Sequence, residues 1–161
     1  YRDGAHATVF QGERVYPQAK TLNMLVSTLA YRQARARGAY DAILMDRHGM
    51  LTEGTRTNLF WTDGTVLFTP PAEQVLSGVT RLTVMEALRA EGVEVQERPC
   101  PHAALDPKLG WFLTSTSTKI MPLHSVDDLA LEVHPVVKQW MRVYDTWLDA
   151  WAGSQEALVK A

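Results

Sequence analysis

The sequence predicts a mixed α/β domain, α+β in class, in which a mixed sheet carries flanking helices, and two patterns support that prediction. Three segments repeat apolar residues at the 3.6-residue period of a helix, and between them lie short strand-type runs bounded by Gly, Pro and Asp. Several of those runs adjoin one another as hairpins, which a doubly wound sheet of alternating strands and helices would not do. Residues 1–161 are read as one domain.

The elements follow in chain order. "ATVFQGERVY", Ala7 to Tyr16, contains two β-type pieces around a Gly turn. Leu22, Leu25, Val26 and Leu29 recur at i, i+3, i+4 and i+7, which puts one apolar stripe on a helix that Gly38 ends. "DAILMD" is a buried-type strand and "MLTEG" a second one across an "RHG" turn. "NLFWTDGTVLFTPP" is a hairpin turning at Asp63-Gly64 and closed by Pro70 and Pro71. A helix from Val79 to Glu91 presents Val79, Leu82, Met85 and Leu88, and Gly92 stops it. "VEVQER" alternates as a half-exposed strand, "GWFLTSTST" is a strand running into a hydroxyl-rich turn, and "KIMPLHSV" is a further strand. The last helix, Pro135 to Ala152, carries Val137, Trp140, Met141, Tyr144, Trp147, Leu148 and Trp151 at helical spacing, as a core or subunit contact.

Composition narrows the function. A chain that is 46% hydrophobic and 21% charged can bury a substantial core, and a formal charge of −2 lacks the basic face that nucleic acid requires. One cysteine, Cys100, read as a small loop side chain, forms no internal disulfide and supports no cysteine-rich metal site. No apolar run approaches the ~20 residues of a membrane span, and no signal peptide is visible, so the expected compartment is the cytoplasm.

Three stretches carry chemistry beyond folding. Lys20, in "PQAKTLNML", stands where a strand gives way to a helix, with no acid close in sequence; a partly desolvated lysine there serves as an imine-forming nucleophile and proton carrier. Glu53, in "LTEGTRTNLF", ends a strand beside Gly54, placing a carboxylate where it can hold a cationic ring nitrogen. Two donor-rich cups suit one phosphate: Gly78 before the helix amides of Val79 and Thr80 in "VLSGVTR", and Ser115 and Thr116 in "LTSTST". An amine, a carboxylate and a phosphate cup are the parts of a pyridoxal 5′-phosphate site.

These motifs, in this order, resemble the larger, C-terminal domain of the fold-type IV (class IV) pyridoxal-phosphate enzymes: D-amino-acid aminotransferase, branched-chain aminotransferase and aminodeoxychorismate lyase. The resemblance runs from Gly4 to about Val126, with 33 positions between Lys20 and Glu53 and 27 between Glu53 and Thr80. It implies a D-amino-acid aminotransferase-like fold and amino transfer between an α-amino acid and a 2-oxo acid. It also implies that Lys20 forms the internal aldimine, Glu53 keeps the pyridine nitrogen protonated, and Leu76 packs against one ring face. Gly78, Val79 and Thr80, with Ser115 and Thr116, then take the phosphate. The family's lyase chemistry, which releases pyruvate to give 4-aminobenzoate, and a non-catalytic cofactor-binding fragment stay open as alternatives. The family's enzymes are homodimers with a smaller N-terminal domain that this chain does not contain, which implies little activity for residues 1–161 alone. Departing from the family's acidic segment, "DPKLGW" precedes the second cup. Arg14, Arg56 and Arg81 are the remaining basic candidates, each read as a surface or helix-start residue.

Overall fold

A computed structural model of the chain describes residues 3–159. Its strands are β1 (Ala5–Gln11), β2 (Asp41–Met45), β3 (Met50–Gly54), β4 (Asn58–Thr62), β5 (Val66–Thr69), β6 (Glu94–Glu97), β7 (Cys100–Pro101), β8 (Gly110–Ser115), β9 (Lys119–Val126) and β10 (Leu129–Ala130). Three α-helices accompany them: α1 (Leu25–Ala36), α2 (Val79–Ala90) and α3 (Pro135–Val159). The mixed α/β class is as expected, and the sheet goes further by closing on itself. β4 pairs β8, β8 pairs β9, β9 pairs β1, β1 pairs β2, β2 pairs β3, and β3 returns to β4. The contacts of β1 with β2 and β9 are parallel and the other four are antiparallel.

Period-two alternation sorts side chains between the inside of this ring and its outside. Along β4, Leu59 and Trp61 join the inner core and Phe60 the outer one; along β8, Trp111 and Leu113 point in and Phe112 points out. Because Phe60 faces Phe112 and Trp61 faces Trp111 across the ladder, both faces carry stacked aromatic pairs, with centroids 5.1 and 5.6 Å apart. α2 and α3 cover the outer face through Val84, Met85, Leu88, Val137, Trp140 and Tyr144. α1 packs its small residues Ala30 and Ala34 on Ala42 and Leu44 of β2. The β4–β5 hairpin turns at Asp63-Gly64 as the sequence indicates. Asp63 accepts the Thr65 and Val66 amides, and these bonds hold its carboxyl below the usual range.

Several expectations are corrected. Glu13–Tyr16 forms no strand, so Lys20 lies within a long loop that joins β1 to α1 rather than directly after a strand. The helix after it starts at Leu25, leaving Leu22 outside it and 99% exposed, and Leu25 and Leu29 also face outward. Periodicity found that stripe correctly, but the side that packs on the sheet is the one lined with Ser27, Ala30 and Ala34. On α2, Val79 and Leu82 are likewise exposed, and the buried face includes Thr80, Arg81, Val84 and Met85. α3 runs past Ala152 to Val159; Val137, Trp140 and Tyr144 are core, and Trp151 is exposed. Cys100 is a strand residue opposite Leu51, and burial pushes its thiol up to about 12.

Candidate active site

Four separate segments meet at a cavity of about 270 Å³. Lys20 reaches it from the loop between β1 and α1, and Glu53 from the end of β3. Leu76, Gly78, Val79 and Thr80 come from the entry to α2, and Ser115 and Thr116 from the β8–β9 turn. All eight residues singled out in the sequence therefore line one cavity.

Glu53 is buried, and its two oxygens have different partners. Oε1 stands 3.4 Å from Nη1 of Arg14, while Oε2 accepts the Leu76 amide at 3.0 Å. Burial raises its carboxyl above the ordinary value, and the Leu76 amide and the Arg14 guanidinium oppose that rise. Arg14 also donates through Nη2 to the carbonyl of Ala19 at 2.6 Å, so one guanidinium links Glu53 to the residue before Lys20.

The loops around Glu53 are fixed by groups that carry no charge into the cavity. Leu76 is held at both ends of its peptide, because its carbonyl accepts Nδ2 of Asn58 at 2.7 Å while its amide donates to Glu53. Glycine is required at two neighbouring positions by close approach. A Cβ on Gly78 would stand 2.5 Å from Oδ1 of Asn58, and one on Gly54 would overlap the Thr57 hydroxyl and stand 2.7 Å from Oδ2 of Asp41. Asp41, fully buried at the head of β2, accepts the Thr55 hydroxyl at 2.5 Å, the Thr57 hydroxyl at 2.8 Å and the Ala42 amide at 2.8 Å. The Gly54–Thr57 turn is thus tied to the barrel wall.

The remaining walls favour an anion. α2 begins at Val79 with Gly78 as its N-cap, and no side chain caps its first amides. Across the cavity, the Thr114 hydroxyl is buried without a hydrogen-bond partner. Beside it, Ser115 Oγ bonds the Thr118 hydroxyl at 2.7 Å, and Tyr40 donates to the same hydroxyl at 3.1 Å, which fixes the second cup. Uncapped helix amides opposite free and fixed hydroxyls suit a phosphate oxygen set.

Arg14 departs from expectation, whereas Arg81 stands at the start of α2, as expected, but is buried there. Arg14 is mostly buried and ion-paired rather than at the surface. Arg81 is 1% exposed and donates to the Pro70 carbonyl at 3.0 Å and to Glu97 at 2.9 Å, bolting α2 to the end of β5. Arg56 is exposed, as expected, and stacks over Tyr31. Sequence reasoning passed over Asp41, Tyr40, Asn58 and Thr114. The one available signal was an acid at the head of the otherwise apolar run "DAILM".

A barrel-like mixed sheet thus gathers an amine, a buried carboxylate and two donor-rich loops at one cavity. The sequence matches the family model for amino-transferase class IV over residues 5–126, and the chain belongs to that family. It is 32% identical over 126 residues to the branched-chain-amino-acid aminotransferase of Salmonella typhimurium, covering 76% of this chain and 41% of that protein. It is 31% identical over 109 residues to the D-alanine aminotransferase of Bacillus licheniformis, covering 67% and 38%. The chain thus spans about two fifths of the length of these relatives. Among solved structures, a hypothetical aminotransferase from Mycobacterium tuberculosis in its PLP-bound form superposes with a TM-score of 0.80 at 28% identity, over 91% of this chain and 56% of that one. A Legionella pneumophila chain with the provisional name 4-amino-4-deoxychorismate lyase gives 0.81 at 27% identity, over 89% and 56%. The expected fold-type IV architecture is therefore shared by these neighbours.

Proposed function

We propose that residues 1–161 are the cofactor-binding domain of a pyridoxal 5′-phosphate-dependent aminotransferase, which moves an amino group between an α-amino acid and a 2-oxo acid. The convergence of Lys20, Glu53 and the two donor-rich cups on one cavity carries this reading. The uncapped start of α2 and the unpartnered Thr114 hydroxyl support a phosphate there, held by Gly78, Val79 and Thr80 with Ser115 and Thr116. Glu53, whose charged form Arg14 favours against burial, would hold the pyridine nitrogen, and the Leu76 side chain would pack against one ring face. When bound, the cofactor supplies an electron sink for charge developing at the substrate α-carbon. Lys20 offers its ε-amine for covalent attachment and, once released, carries the proton to and from that α-carbon.

The complete protein is taken as a cytoplasmic homodimer. Exposed Leu22, Leu25, Leu29, Val79 and Leu82 support a covering surface, and the unpaired, buried Cys100 suits a reducing compartment. Borohydride reduction of the loaded full-length protein followed by peptide mapping tests the assignment. A pyridoxyl group on the Lys20 peptide is expected, and label confined to Lys108, Lys119 or Lys138 overturns it. Likeness to the Legionella chain supports a second reading, the lyase, in which the same lysine serves release of pyruvate. Pyruvate formed from aminodeoxychorismate with no 2-oxo-acid acceptor would select it, and a full-length product with neither activity would select the non-catalytic fragment.

A further inference from the structure

We propose that Arg56 is the residue that recognises a carboxylate of the substrate, an inference that rests on reading the cavity as an amino-transfer site. Three cations line that cavity. Lys20 has the reactive amine, and Arg14 is spent on Glu53. Arg56 has no carboxylate within ion-pairing distance among the described residues.

Its placement is built rather than incidental. On either side of it in the chain, Thr55 and Thr57 turn their hydroxyls inward to opposite oxygens of Asp41, at 2.5 and 2.8 Å. All three residues line the cavity, and Arg56 alone of the triplet is exposed, its side chain free of the Asp41 network. Its guanidinium lies over the Tyr31 ring, 4.6 Å from the centroid, and 5.9 Å from that of Tyr40, and Nη2 donates to the Tyr31 hydroxyl at 3.2 Å. Stacking of this kind fixes the plane of a guanidinium and leaves its edge donors available. Of five N–H groups, one is taken by Tyr31 and four remain, enough for the parallel pair of bonds that a carboxylate accepts. Both an α-amino acid and a 2-oxo acid carry such a group next to the reacting carbon, and dicarboxylic substrates carry a second.

The test separates binding from chemistry. Propionate, with one carboxylate, and glutarate, with two, are titrated calorimetrically into the full-length holoenzyme and into its Arg56→Met and Arg56→Lys variants. Retained visible absorbance confirms that the cofactor is bound. Weaker binding of both ligands to Arg56→Met, by roughly tenfold with partial recovery in Arg56→Lys, places the α-carboxylate on Arg56. A loss confined to glutarate places the distal carboxylate there. Unchanged affinity for both overturns the inference and leaves the amino-transfer reading untouched. That reading fails separately, if wild-type holoenzyme transfers no amino group from alanine or glutamate.

Discussion

Arg14 and Glu53, thirty-nine positions apart in the chain, form an ion pair at 3.4 Å in the wall of the cavity. Since the guanidinium is one of the groups holding the Glu53 carboxyl down against burial, its removal has a signed effect. Arg14→Met lets that carboxyl rise further and also frees the Ala19 carbonyl beside Lys20. In a pH–rate profile of the full-length enzyme, the acid limb moves to higher pH and kcat falls about tenfold. A profile superimposable on that of wild type would remove Arg14 from the site.

Glu53→Gln separates the ring-nitrogen contact from the phosphate cup. Cofactor affinity is largely kept, whereas turnover drops by at least about ten- to a hundredfold with loss of a charge-assisted bond. Stability adds an independent readout. Because the folded-state carboxyl lies above its unfolded value, ionised Glu53 costs stability at neutral pH, and wild type regains it as pH falls through the folded value towards 4.5. The melting-temperature difference, variant minus wild type, is therefore largest near neutrality and narrows on acidification. A constant difference would mean that Glu53 ionises no less readily in the fold than in the open chain.

Asp41→Ala leaves the Thr55 and Thr57 hydroxyls and the Ala42 amide buried without their acceptor. Urea unfolding of the chain is expected to show a loss of about 3–5 kcal/mol, since three buried donors each lose their acceptor. A change below about 1 kcal/mol would show that the turn holds without it.

Gly78 and Asn58 are coupled by contact. Gly78→Ala drives its new Cβ into the Asn58 amide and loosens the Leu76 carbonyl, so cofactor affinity falls about tenfold. Asn58→Ala removes the obstacle, and Gly78→Ala added to it costs little more. Additive losses in the double variant, measured by cofactor titration, would contradict this coupling.

The residues proposed to act on a ligand were legible because chemistry restricts their type: Lys20, Glu53 and both cups were found as motifs, and the structure brings all of them to one cavity. The hairpin at Asp63-Gly64 and the final helix were legible because a turn signal and a helical stripe are local. Asp41 was not, since its partners lie fourteen and sixteen residues away and nothing local marks an acid as buried. The stripe of Leu22, Leu25 and Leu29 misled for a related reason. Periodicity reports that a face is apolar, not which surface covers it, and within this chain the small residues opposite it do the packing.

Ring closure also sets the order in which the molecule can be made. β1 leads the described chain, yet one of its two neighbours is β9, with Ala5 beside Leu123 and His6 beside Ser125. During synthesis, β1, β2 and β3 can pair early, but the seam with β9 must wait until residue 126 has left the ribosome. Until then β1 offers a bare edge to any extended chain nearby. A nascent chain arrested before β9 is thus a form with an open ring and an unpaired β1 edge, which a chaperone can cover.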